Sequence, residues 1–275
     1  MAFSVNTNAG AFAALQNLNQ TQSELTTTQT QINTGLRVSS AKDDAATFAI
    51  AQTLRGEVSG LQAVSSSLDR AQSSLDVAIA AGEAVSDLLI ELKEKAVAAK
   101  DNGLDDASRT SLNDDFTQLR DQITSIVQNA EFNGTNAVQN GGDAIIAITN
   151  DTGSNTITIA AQDLSLTGTN LAITASQDIS TQDLASAAVA DIESSIENVN
   201  TALSALGSGA NRVELQQNFV NSLSDSIEVG IGNLVDADLA ETSANLQSLQ
   251  VRQQLGLQAL SIANQAPQSV LSLFR

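Results

Sequence analysis

The sequence predicts a mainly α protein: a long antiparallel helical bundle or coiled coil with a small β-hairpin region, running out and back so that both termini meet. Three observations predict it. Apolar residues recur at seven-residue spacing near both ends and along most of the middle. Of 275 residues only Pro267 is a proline, so long helices escape the residue that costs them most. Between the two helical halves the apolar period drops to two.

The first helix is carried by Ala11, Leu18, Leu25 and Ile32, with Ala14, Thr21 and Thr28 filling the alternate seam position. Asn33-Thr34-Gly35 stops it. In RVSSAKDDAATFAIA, residues 37–51, Ser40 is read as the N-cap of a second helix. Asp43 and Asp44 then fall in its first turn, where free amides and the helix dipole favour carboxylates. Adjacent helical residues point about 100° apart, which makes this pair a poor metal or catalytic site.

Beyond it, Leu54, Leu61, Leu68 and Leu75 are spaced by seven. Val64, Ala71, Ala78, Val85 and Leu92 follow three positions later. The pattern lasts to about Lys100, a helix of about 80 Å at 1.5 Å per residue. DNGLDDAS reads as a turn and a fresh cap, and a third helix follows through Leu112, Phe116, Leu119, Ile123 and Ile126. It ends near EFNGTN, residues 131–136.

AIIAIT and NTITIA then alternate like strands around Ile146, Ile148, Ile157 and Ile159, joined by NDTGS. A looser pair, LSL and LAIT, flanks TGTN at 167–170. One or two hairpins are expected, too small for an independent domain.

From Thr181 the helical rhythm returns, with Val199, Leu206, Val213, Val220, Ile227 and Leu234 in one row and Ile192, Ile196 and Leu203 beside it. The register crosses Gly207 and Gly209, read as close-contact or flexible points within one helix. From Asp238 to Ala266, Leu239, Leu246, Leu249 and Leu260 form one row, and Val251, Leu255 and Ile262 another. A helix apolar on several faces needs several partners. The expected core of the long-helix pair is therefore Leu54, Leu61, Leu68, Leu75, Val199, Leu206, Val213, Val220 and Ile227. The expected polymerisation seam is Leu18, Leu25, Ile32, Leu239, Leu246, Leu249, Val251, Leu255, Leu260 and Ile262.

Charge follows the same division. The net is +1 over residues 1–42, +2 over 242–275, and −22 over 43–241, within a formal total of −19. The ends are almost uncharged yet rhythmically apolar, so they are expected to pack on copies of themselves. Without His or Cys there is no imidazole base, thiolate nucleophile or Cys/His zinc site. No cofactor is implied, and the acid pairs Asp43–Asp44, Asp105–Asp106 and Asp114–Asp115 are read as helix starts or solvated faces. The acidity argues against a nucleic-acid partner. The absence of a run of about 18 apolar residues argues against a membrane span. The start MAFSVNTNAGAFAALQ lacks a cleavable signal, so the chain is expected to be cytosolic or to leave by another route.

The stretch LNQTQSELTTTQTQINTGLRVSSAKDDAATFAIAQTLRGEVSGLQ closely resembles the N-terminal signature of bacterial flagellin. DLAETSANLQSLQVRQQLGLQALSIANQAPQSVLSLFR resembles its C-terminal signature, and AEFNGTN also matches. The resemblance implies a secreted subunit of the extracellular filament that drives swimming, a homopolymer exported by the flagellar type III route. By family, its partners are further copies, an export chaperone, the filament cap and hook-junction proteins.

It further implies an N-terminal D0 helix and connector at 1–42, N-terminal D1 helices at 43–132 and a hairpin region at 133–182 in place of the outer D2 and D3 domains. A C-terminal D1 helix at 183–232 and a C-terminal D0 helix at 233–275 complete the layout. Any O-glycosylation is expected in the hairpin segment. Counting back from Asn102-Gly103, the receptor-sensed Arg and Leu of some members correspond to Leu92 and Ala96, with Asp115 retained; weak innate-receptor activation is expected. The alternatives are a flagellin-like hook–filament junction protein, an intracellular coiled-coil scaffold and, last, an enzyme.

Overall fold

The computed structural model describes residues 7–272, with side chains through residue 265. It contains α1 (Ala9–Thr34), α2 (Ala45–Ala99), α3 (Asp106–Asn129), β1 (Ile145–Ile148), β2 (Thr156–Ile159), α4 (Gln182–Val235) and α5 (Leu239–Ser272). The chain divides into two compact units. One joins the residues up to Gly56 with those from Ser226; the other is Glu57–Asp225.

In the first unit α1 packs on α5. Asn8 starts α1: its Oδ1 accepts from the Ala11 amide at 3.0 Å, and its Nδ2 donates to the Ala263 carbonyl at 2.6 Å. Gly35 ends the helix with φ +72°, a left-handed conformation that glycine adopts without a Cβ penalty. The connector is then stitched to the end of α4. The amides of Arg37 and Val38 donate to the Val235 carbonyl at 2.7 and 3.2 Å, and the Arg37 guanidinium donates to the Leu234 carbonyl at 2.7 Å. Val38, Ala51 and Val235 form a small buried cluster there, flanked by Leu36, Phe48, Ile231 and Leu234.

The second helix begins later than the Ser40 cap predicts. Residues 40–43 form a turn, and Asp44 is the capping group. Its carboxylate accepts from the Ala46 and Thr47 amides at 3.0 and 3.1 Å and from the Thr47 hydroxyl at 2.7 Å. Asp43 reaches backward instead, taking the Ser39 and Ser40 amides at 3.0 and 2.9 Å together with both hydroxyls. Ser40 Oγ donates to Asp43 and accepts the Lys42 amide at 3.3 Å within this turn, one step before the helix, and the Ala46 and Thr47 amides go to Asp44.

The hydrogen bond from the Thr47 side chain holds the Asp44 carboxyl below its ordinary value, and that from the Ser39 side chain does the same for Asp43. A depressed folded-state pKa contributes stability above the unfolded value, about 3.9 for aspartate, which is lost as pH falls through the lower folded value. Asp44→Asn is therefore expected to lower the melting temperature at pH 7. The gap to wild type should narrow as pH drops below about 4. Melts across pH 2–7 measure it; a gap that widens on acidification would contradict the assignment.

The second unit packs α2, α3 and α4 around one core. Leu68, Leu75, Leu89 and Leu92 on α2, Phe116 and Ile123 on α3, and Ile192, Val199, Leu206 and Val213 on α4 are all essentially without exposure, and the Lys95–Asp115 and Lys93–Glu193 pairs link α2 to α3 and to α4. The connecting segment adds Leu164, Leu171, Ile173 and Ile179, also fully buried.

One hairpin forms, antiparallel, with Ile145 opposite Ile159 and Ala147 opposite Ile157 on the buried face. The LSL and LAIT segments do not pair as strands. Their backbone donors are taken elsewhere: the Leu164 amide by the Val138 carbonyl at 2.8 Å, the Ala172 amide by Ser195 Oγ at 3.0 Å, and the Thr174 amide by Gln177 Oε1 at 3.1 Å. In LAIT the alternation records burial of Leu171 and Ile173 without a ladder; in LSL only Leu164 is buried.

The hairpin sits close against both long helices. A Cβ placed on Gly209 of α4 would lie 2.9 Å from Ile159 Cγ1, which makes that glycine a close-contact point. A Cβ on Gly60 of α2 would lie 2.9 Å from Asp151 Cβ and 3.1 Å from its carbonyl oxygen. Because the obstruction at Gly60 includes backbone, Gly60→Ala should push the hairpin away. Overpacking of this kind costs about 1–3 kcal/mol. Faster amide exchange across β1 and β2, with the helices unchanged, is the expected readout.

Candidate assembly surface

Each half of the proposed seam meets a different environment within one chain. Leu25 and Leu249 are buried between α1 and α5, and Leu18, Ile32, Leu246 and Leu260 are half-buried. Gly256 permits this approach: a Cβ there would stand 3.3 Å from Leu18 Cδ1. Gln253 Nε2 donates to Gln22 Oε1 at 2.6 Å across the same pair.

The remaining seam residues face water. Leu239, Val251, Leu255 and Ile262 are exposed, from 51% at Leu239 to 69% at Ile262. Phe12, Leu15 and Leu257, which stand outside the expected seam, are exposed too. Their signal was present: Phe12 and Leu15 are apolar residues on α1 outside its seven-residue row. One α5 helix thus spends a single stripe on α1 and leaves its other apolar positions uncovered.

Of the expected core residues, Leu61, Leu68, Leu75, Val199, Leu206, Val213 and Val220 are buried in the second unit. Leu54 and Ile227 are half-buried, and both belong to the first unit.

The charged groups form local supports. Asp105 caps α3, accepting from the Ser108 amide at 2.9 Å, and its hydrogen bonds to Ser108 hold its pKa down. Asp115 pairs with Lys95 at 2.8 Å, a hydrogen bond that raises the lysine's pKa; Glu193 pairs with Lys93 at 2.9 Å and is correspondingly lowered. Among the described residues no group of three acidic, His or Cys side chains is placed to hold a metal. Leu92 and Ala96 have zero exposure. Counting back from Asn102-Gly103 therefore lands on core positions, and neither residue presents a surface to a receptor. Among the described residues no helix is long and apolar enough to cross a membrane.

Comparison with known proteins identifies this arrangement. The bacterial flagellin N-terminal helical region matches residues 5–143, and the bacterial flagellin C-terminal helical region matches residues 189–274. Flagellin FljN of Caulobacter vibrioides is 48% identical over 272 residues, and its FljK is 46% identical over 272, each alignment covering 99% of this chain and 98% of the relative. Flagellin C of Rhizobium meliloti is 32% identical over 321 aligned positions, 99% of both chains. A solved chain from Vibrio parahaemolyticus, described as flagellar hook-associated, shares the fold at a TM-score of 0.59 and 14% identity, covering 70% of this chain and 100% of that one.

The class is thus a structural subunit that self-assembles into a helical filament. The chain belongs to the bacterial flagellin family.

Proposed function

We propose that copies of this chain join through the outer faces of the α1–α5 pair, with Leu239, Val251, Leu255 and Ile262 closing against other subunits. The observation that carries this reading is the set of large apolar side chains left exposed on an otherwise paired helix. Burying each contributes about 1.5–3 kcal/mol, a strong drive for association in a stretch with almost no charge.

In this reading the D0 layer is 1–42 with 233–275, and D1 is 43–132 with 183–232. The hairpin region 133–182 forms the outermost part in place of outer domains. The filament stands outside the cell, its subunits leaving by the flagellar type III route. An export chaperone, a filament cap and hook-junction proteins are its partners, and no catalytic role is assigned. The junction-protein alternative is not favoured: relatives that match this chain end to end are flagellins.

The acidic middle opposes assembly, because copies with a formal charge of −19 crowd together. Screening at 0.1 M salt, where the Debye length is about 10 Å, should therefore speed seeded growth of the purified subunit relative to very low salt. Turbidity or sedimentation against ionic strength tests the reading. Growth fastest at the lowest salt would count against it.

A further inference from the structure

Hydrogen-bond donors without acceptors converge on a cleft of the second unit. It measures about 260 Å³ and lies between α2, the Phe132–Thr135 turn and the free edge of β1. Ser67, Arg70, Asn133, Thr135 and Ile146 line it, and none of its lining residues is an acid.

Ser67 is 6% exposed, and its Oγ accepts from the Ile148 amide at 3.1 Å. That bond uses an oxygen lone pair and leaves the buried hydroxyl hydrogen without an acceptor among the described residues. The same bond fixes the parity of β1. Residues of an antiparallel pair alternate between those that exchange bonds with the partner strand and those that point away from it. Ile148 points away from β2 to Ser67, so Ile146, two residues earlier, turns its amide to the same open edge. The Arg70 guanidinium enters no ion pair among the described residues, and its chain neighbour Asp69 accepts from Gln217 instead. Asn133, at φ +51°, stands in a turn closed by reciprocal Phe132 and Thr135 amide–carbonyl bonds of 3.0 Å, which sets the backbone at this side of the cleft.

We infer that the cleft binds a small oxyanion. A carboxylate or phosphate group offers several lone pairs and a charge, and so serves a guanidinium, an edge amide and hydroxyls together. Cavities for drug-sized ligands run to about 300–1,000 Å³, so this one suits an ion of few atoms. In a chain of formal charge −19, a cleft with a cation and no acid is a local positive site. The occupant bridges α2 and β1, so binding stabilises the second unit by mass action. The whole cleft lies within one chain, and the inference stands apart from assembly.

The monomer, kept below the concentration at which it polymerises, supplies the test. Inorganic phosphate and acetate are titrated separately at pH 7, with ionic strength held constant by chloride. At least one should shift the Ile146 amide resonance saturably and raise the melting temperature. Tighter phosphate assigns the site to tetrahedral oxyanions, and tighter acetate to carboxylates. Arg70→Gln changes an exposed side chain, so circular dichroism should be unchanged while the dissociation constant rises at least about tenfold. Arg70→Lys, which keeps the charge and loses the planar fork, should fall between the two. No saturable shift at Ile146 with either ion, or equal binding by Arg70→Gln, overturns the inference. Shifts spread evenly over the basic residues of the surface overturn it too. None of these results bears on the filament reading.

Discussion

A chain carrying Val251→Asp with Leu255→Asp is expected to remain a folded monomer and to stop forming filaments at concentrations where wild type polymerises. The two residues stand four apart on α5, 55% and 56% exposed, so neither is spent on the pairing with α1. Losing two buried aliphatic side chains removes about 3–6 kcal/mol per subunit from the assembled state. At 1.4 kcal/mol per decade, that alone raises the critical concentration by about two orders of magnitude or more. Placing carboxylates in a dry contact adds a desolvation cost in the same direction. Circular dichroism should be unchanged, because the stripe that holds α5 to α1 contains Leu249 and leaves these two outside it. Sedimentation of polymer from seeded solutions measures the effect. Filaments at the wild-type concentration would remove the outer row of α5 from the interface.

The helices were legible because their signal is redundant. Leu61, Leu68 and Leu75 repeat one face three times, and Gly35 offers the left-handed stop that α1 uses. The start of α2 was harder to place, since Ser40 and Asp44 are both competent caps. The choice falls to Asp44 because residues 40–43 close a separate turn, in which Ser40 Oγ accepts the Lys42 amide, and the first free amides of the helix, Ala46 and Thr47, lie within reach of Asp44. The LSL and LAIT segments alternate as strands do, but Ser195 and the Val138 carbonyl capture donors that a ladder would need. On the surface, a search for one seven-residue row per helix finds Val213 and Val220 and passes over Leu215 and Phe219 on the opposite face. Which apolar row faces a helix of the same chain is decided by packing. Leu249 and Leu255 are alike in the sequence and opposite in environment.

Phe116→Ala should be among the most damaging single substitutions in the second unit. Phe116 heads the largest side chains with no exposure, and it anchors α3 beside Ile123 in a core otherwise built from aliphatic residues. Its replacement removes the ring's transfer free energy and leaves a cavity that close-packed neighbours fill only in part, a loss of about 3–5 kcal/mol. For a unit of this size that is a fall of roughly 6–20 °C in melting temperature. Urea denaturation should show a lower midpoint with an unchanged slope, since the surface exposed on unfolding is nearly the same. The assembly row on α5 lies outside the site of damage, so filaments grown well below the new melting temperature should have the wild-type critical concentration. A shift below about 1 kcal/mol would mean that α3 collapses onto α2 and α4 far more readily than a packed core allows. Lost polymerisation at low temperature would tie Phe116 to the subunit contact itself.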